Sequence, residues 1–347
     1  MTGPDPTPDA EPGLEEGRLD EAGPEETPAQ QLEQAILGED AVFSALDVAA
    51  ETGASIEQAR RLWRALGFPD RGSERAFTRA DADAVSTLLD LVEVGAIDFD
   101  MAVDLTRAVG QTMARLADWE VATLVHRVQE LESGDDATGS RATAALGLLD
   151  ALNGPFEGLL VYVWRRHLAA AVARVEALGA SETDLHTTQL TVGFADIVAF
   201  TALTNQLDHA RIGDLVEIFE SRCADVVAGQ HGRVIKSLGD AVLFVNEDPI
   251  RAYDTAEGII AVIGRDPRMP DVRVGLSTGS VVTRLGDVFG PPVNMAARLT
   301  AVARRNRIIV DETTAGLLPE DQFEARPLPA RSVRGFGLVE PVAVRRH

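Results

Sequence analysis

A chain of 347 residues, 45% hydrophobic and 25% charged, has room for two globular domains. Its net charge of −23 argues against general affinity for nucleic acid or an anionic membrane, because those surfaces are also negative. The single cysteine, Cys223, excludes an intrachain disulfide and a thiolate metal cluster, and fits a reducing, cytoplasmic setting.

Residues 1–34 are rich in Glu, Asp, Pro and Gly, lack the apolar core of a secretory signal, and read as a disordered acidic tail. Residues 35–150 read as an all-α domain. Ser55 and Gln58 form a capping box ahead of Leu62, Trp63 and Leu66, and Gly67 and Pro69 end that helix. Thr78 with Asp81 opens another, through Val85, Leu88, Leu89 and Val92. Further helices are predicted over Met101 to Leu116 and Trp119 to Leu131, with a loop over 133–141. Leu46 to Leu66, turning at Thr52-Gly53, also fits a helix-turn-helix that would offer Arg60, Arg61 and Arg64 to phosphate. Residues 38–85 carry nine acidic and six basic side chains, a net of −3, which argues against DNA as the partner.

Asn153-Gly154-Pro155 reads as a helix start, and residues 151–180 as a linker helix. Val161, Trp164, Leu168, Ala171, Val175 and Leu178 step by three, four, three, four and three. Such a seam suits either a parallel two-helix coiled coil or packing against a domain. No apolar run reaches the roughly 18 residues of a membrane span, and the best stretch, Gly158 to Trp164, meets Arg165, Arg166 and His167. His167 lies beside the seam and among like charges that favour its neutral form. It is either a solvated helix histidine or a pH-responsive regulatory group.

From about residue 185 short apolar strands alternate with helices. Strands are predicted at Gln189 to Phe194, Val234 to Leu238, Ala241 to Val245, Val272 to Ser277 and Ile308 to Val310, with helices at Asp208 to Ala228 and Pro249 to Ile263. Gly239-Asp240 is a two-residue hairpin turn. This order predicts an α/β sandwich, one sheet with helices on one face.

Four local patterns in this half carry chemistry. Asp196 ends the apolar strand in Phe194-Ala195-Asp196-Ile197, where a carboxylate suits a metal at the sheet edge or the cap of the next helix. Lys236-Ser237-Leu238-Gly239-Asp240 supplies a second carboxylate, either for a two-ion site or simply as a turn residue. Asp287 opens a segment in which Pro291-Pro292 leads into a helix, with Asn294 and Arg298 four apart on one side. An amide and a guanidinium so spaced suit a ribose oxygen and a phosphate, or a solvated face. Arg331-Ser332-Val333-Arg334-Gly335 is a basic turn near the end.

In order and spacing these patterns resemble the catalytic domain of class III nucleotide cyclases over residues 185–347. The resemblance implies a ferredoxin-like α+β fold and an adenylate cyclase that turns ATP into cyclic AMP and pyrophosphate. It further implies that Asp196, Asp240 and the Ile197 carbonyl hold two Mg²⁺ or Mn²⁺ ions, that Lys236 and Asp287 read the purine, that Asn294 positions the ribose, and that Arg298 stabilises charge on the α-phosphate. Arg334, or else Arg331, would stand where the family usually has a phosphate-binding lysine. Each site would draw on two chains of a homodimer. Adenine presents an acceptor at N1 and a donor at its 6-amino group, which a lysine and a carboxylate match. Lys236 is the only lysine among 32 basic residues, and a compact ammonium approaches a ring nitrogen where a guanidinium would crowd it. Ala199 stands where many members have glycine. The helical half resembles the regulatory domain of some actinobacterial cyclases, on Ala59 to Pro69 and Gly110 to Trp119; in some relatives pH or lipid tunes it. The competing reading is a non-catalytic nucleotide sensor that signals through dimerisation.

Overall fold

The computed structural model describes residues 27–135, 137–177, 187–284 and 286–347. The tail reading for residues 1–26 and the last seam position, Leu178, lie outside the described residues. The chain divides into two units between Leu168 and Ala169.

The first unit is helical: α1 (Pro28–Leu37), α2 (Ala45–Thr52), α3 (Ile56–Leu66), α4 (Arg79–Glu93), α5 (Phe99–Glu132) and α6 (Arg141–Ala177), the last running into the second unit. Capping boxes at Ser55/Gln58 and Thr78/Asp81 start α3 and α4 as predicted. Three expectations are corrected. Residues 28–34 are helical rather than tail, because Thr27 and Gln30 cap α1 reciprocally and Pro28 opens it. Met101–Leu131 is one helix, since nothing between Leu116 and Trp119 breaks it. Pro155 lies inside α6 instead of opening a helix; Ser140, whose hydroxyl accepts from the Thr143 amide at 3.3 Å, stands at the start. The cost of an interior proline is the hydrogen bond its missing N–H would have made.

Val48, Leu62, Ala65, Phe77, Val85 and Val103 form the core of this unit. Trp63 packs tilted against Phe68 and edge-on against Phe77, with ring centroids 4.6 and 4.5 Å apart. α3 and α5 approach backbone to backbone at Gly110, where a Cβ would lie 2.3 Å from the Leu66 carbonyl oxygen. The three arginines of the helix-turn-helix reading face carboxylates instead: Arg60 Asp70 at 3.9 Å, Arg61 Asp100 at 2.6 Å and Arg64 Glu57 at 3.2 Å. On α6, Val161, Trp164 and Leu168 are exposed, so they do not pack against the unit's own core. Over Arg141–Arg174 this helix is also long and apolar enough to cross a membrane by length and composition.

The second unit runs β1 (Thr187–Ile197), α7 (Phe200–Thr204), α8 (His209–Gly229), β2 (Arg233–Ser237), β3 (Ala241–Asn246), α9 (Pro249–Gly264), β4 (Val272–Arg284), β5 (Asp287–Phe289), α10 (Pro291–Val302), β6 (Ile308–Val310), α11 (Glu312–Leu317), β7 (Phe323–Pro327), β8 (Arg331–Val333), β9 (Gly337–Val339) and β10 (Val342–Arg346). The sheet order is β2-β3-β1-β4-β6-β10-β7, with β5 paired to β4; β8 and β9 form a separate hairpin. β1-α8-β2-β3-α9-β4 is thus a ferredoxin-like βαββαβ unit with all its neighbouring strands antiparallel.

Alternation along the strands divides the core. Ala195, Ile197, Val242, Phe244, Val274 and Leu276 meet Phe219 and Cys223 of α8 and Tyr253, Ile259 and Ile263 of α9. Leu190, Val192, Phe194, Leu243 and Val245 point the other way and meet Ala296 of α10. The expectation of helices on one face holds for α8 and α9; α10 covers the opposite face. Each fully buried large apolar side chain contributes about 1.5–3 kcal/mol.

Candidate active site

The end of β1 and the tip of the β2–β3 hairpin meet. Asp196 is in register with Ala241 of β3, and the Ile197 amide donates to the Asp240 carbonyl oxygen at 2.9 Å. The turn closes through Leu238 N–H to the Ala241 oxygen at 2.7 Å, and Gly239, at φ 76°, supplies the left-handed residue it needs. Main-chain bonds thereby hold the two aspartate-bearing segments against each other. Burial pushes the Asp196 carboxyl above its ordinary range, and the neighbouring Asp240 charge adds to this; Arg273 opposes both. The Arg273 guanidinium donates from Nε to Asp196 Oδ2 at 2.7 Å, and from Nη1 to the Ala301 carbonyl oxygen at 3.1 Å.

Arg273 escaped the sequence reading. An arginine within a strand carries no signal by itself, and its partner lies 77 residues away. Only the β1–β4 register, which sets Asp196 opposite Arg273, pairs them. Just past β1, Ala199 has φ 58° and ψ 32°. That left-handed conformation accounts for the glycine expected there, because it strains any residue with a Cβ.

The second cluster is Lys236 with Asp287. Nζ lies 2.5 Å from Oδ2, and Oδ1 accepts from the Val288 amide at 2.8 Å. β5 folds back antiparallel on β4 and comes against β2, so two residues 51 apart in sequence form one donor–acceptor pair. Both side chains are about one-third exposed, at 35% and 27%. Water and ligand can reach the pair, yet it is partly shielded.

Asn294 and Arg298 stand exposed on α10, one turn apart. Arg331 begins β8, and Arg334 is exposed in the tight β8–β9 turn beside Gly335 at φ 87°. Among the described residues, the side chains of Asn294, Arg298, Arg331 and Arg334 form no hydrogen bond or ion pair with the other predicted site residues. One chain therefore assembles the carboxylate cluster and the Lys236–Asp287 pair, and leaves an amide and three guanidiniums open to solvent. His167, on α6 in the other unit, is exposed.

No group of three or more His, Cys, Asp or Glu side chains that could hold a metal occurs among the described residues. Asp196 and Asp240 with the Ile197 carbonyl would offer an all-oxygen donor set, the chemistry that suits a hard divalent cation. Two carboxylates cannot fill the coordination shell of such a cation, so oxygens of a phosphate ligand or water would have to complete it.

The class is that of the nucleotide cyclases: residues 184–344 match the adenylate and guanylate cyclase catalytic domain, and residues 18–167 the adenylate cyclase regulatory domain. An adenylate cyclase of Streptomyces coelicolor is 38% identical over 350 residues, covering 93% of this chain and 91% of its own. One from Streptomyces griseus is 36% identical, covering 90% and 88%. A pH-sensitive adenylate cyclase of Mycobacterium tuberculosis is 29% identical, covering 86% and 78%. The chain belongs to the adenylate cyclases that join this regulatory domain to a cyclase catalytic domain, enzymes that form cyclic AMP from ATP.

Proposed function

We propose that this enzyme acts as a homodimer in which each active site takes its carboxylates from one chain and its purine, ribose and α-phosphate contacts from the other. The Lys236–Asp287 pair carries the reading. A side chain that only donates, set against one that only accepts, matches adenine at N1 and the 6-amino group and mismatches guanine at both. Leu238, Val282 and Phe289, beside these elements, are exposed large apolar residues of the kind a second copy would cover.

ATP binds with its base at Lys236 and Asp287, its ribose at Asn294 and its triphosphate at Arg334. Asp196, Asp240 and the Ile197 carbonyl would hold two Mg²⁺ or Mn²⁺ ions, which supply Lewis-acid stabilisation of the entering and leaving oxygens. The 3′-oxygen forms a bond to the α-phosphorus as the bond to the pyrophosphate oxygen breaks; the hydroxyl proton leaves to water or to substrate. Arg298 stabilises the charge that builds on the α-phosphate. Arg273 offsets the burial of Asp196 and favours its ionised form.

The helical unit regulates, and α6 joins it to the catalytic unit. Its exposed Val161, Trp164 and Leu168 suit a paired helix from the second copy. His167, beside that seam, is the candidate proton-sensitive group. The setting is the cytoplasm, where ATP is available.

The test is complementation. Asp240→Ala and Arg298→Ala are each expected to be inactive. Mixed one to one and allowed to exchange, half the dimers are heterodimers with one intact site of two, so about a quarter of wild-type activity returns. Failure of the mixture to exceed either variant alone would refute the shared site.

A further inference from the structure

On its α10 face the sheet carries two successive cross-strand pairs between β1 and β4: Phe194 opposite Gly275, then Asp196 opposite Arg273. The last turn of α10 is fastened to both. Thr300 is 3% exposed, and its hydroxyl lies 2.8 Å from the Ala296 carbonyl oxygen and 3.2 Å from that of Phe194. The first contact is the common back-bond of a helical threonine to the residue four before it. The second crosses to β1, two residues ahead of Asp196. It fits because position 275 has no side chain: a Cβ there would lie 2.4 Å from the Thr300 amide nitrogen and 2.5 Å from its Oγ1. Arg273 makes the other fastening, holding Asp196 with one edge of its guanidinium and the Ala301 carbonyl oxygen with Nη1.

We propose that Thr300 is a positioning residue that pins α10 to the carboxylate-bearing strand and so sets where Asn294 and Arg298 stand. Both lie on the same helix, six and two residues before the pin respectively, which at about 1.5 Å per residue is about 9 and 3 Å along its axis. A helix transmits a shift at its seat to every side chain it carries. In the homodimer proposed above, on which this inference rests, Asp196 serves one site while Asn294 and Arg298 of the same chain serve the other. The pin therefore ties the metal half of one site to the ribose and phosphate half of its twin.

Thr300→Val keeps the shape and removes the hydroxyl; Thr300→Ser keeps the hydroxyl. The full chain is assayed for cyclic AMP formation, thermal unfolding and amide exchange across residues 299–303. For the valine variant, kcat is expected to fall about 10-fold or more, because misplacement on the ångström scale costs up to about 100-fold. KM for ATP should stay within about 3-fold, since the base contacts sit on β2 and β5, with the unfolding midpoint near wild type and exchange in the last turn faster. Serine should restore kcat and exchange. A valine variant with kcat within about 2-fold of wild type, a serine variant no better than valine, or a rise confined to KM overturns the proposal. A wild-type chain that forms no cyclic AMP overturns the functional reading instead; exchange then decides alone, and unchanged exchange in Thr300→Val removes the pin.

Discussion

Gly110→Ala sets two opposing effects against each other, and the structure decides between them. Gly110 is buried in α5, and an added Cβ would lie 2.3 Å from the Leu66 oxygen and 2.6 Å from its carbonyl carbon and Cα. Ordinary contact lies at about 3.5 Å, so α5 would have to retreat from α3 by about 1 Å. The obstructing atoms are main chain and cannot rotate aside. Overpacking of this kind costs about 1–3 kcal/mol, and the upper half of that range applies here. Alanine returns about 1 kcal/mol of helix propensity, for a net loss of about 1–2 kcal/mol. All three tryptophans, Trp63, Trp119 and Trp164, precede residue 168, so their fluorescence in a urea titration reads the helical unit alone. With a slope of about 2 kcal/mol per molar, the midpoint should fall by about 0.5–1 M. Gly147→Ala is the matched control: it lies within α6 with no atom within 4 Å of the new Cβ, and should gain up to about 1 kcal/mol. A Gly110→Ala midpoint at or above wild type would refute the close packing of α3 on α5.

His167→Ala is expected to flatten the pH–activity profile of the full chain; a profile superimposable on wild type removes His167 from regulation. Asp266 accepts from the Arg268 side chain and amide, and from Arg222 of α8, which together hold its carboxyl well below the usual carboxylate range. A depressed folded-state value stabilises above the unfolded-state range of about pH 4, and that contribution is lost as pH falls toward the folded value. Asp266→Asn should therefore be less stable than wild type at pH 7, with the gap narrowing below about pH 4; a gap that stays constant in urea titrations from pH 7 to pH 3 would show that ionisation is not its source.

Local signals were the most legible part of the sequence. The boxes at Ser55 and Thr78, the helices after Asp208 and Asp248, and the Gly239-Asp240 turn all depend on neighbours within four residues, and they stand in the structure close to where they were read. Asp196, Asp240, Lys236 and Asp287 were legible as a set through family spacing, and the fold brings them into two clusters. What stayed hidden depends on registers and layers. Amphipathicity tells which side of α10 is buried, but not which face of the sheet receives it. The partnership of Arg273 with Asp196 exists only once β4 lies beside β1. Asn153-Gly154-Pro155 misled because a proline that suits a helix start can also be carried inside a long helix for one missing hydrogen bond.

The contact between Lys236 and Asp287 bears on how such an enzyme could change its nucleotide over evolutionary time. The two charges balance each other in a partly shielded setting, so replacing either alone leaves its partner uncompensated and, under the base-reading role proposed above, half of the base unread. An intermediate genotype would handle both purines poorly and carry a lone charge as well. Lineages of this architecture would then be held to adenine by a fitness valley between two coordinated substitutions, rather than by any difficulty in accommodating guanine itself.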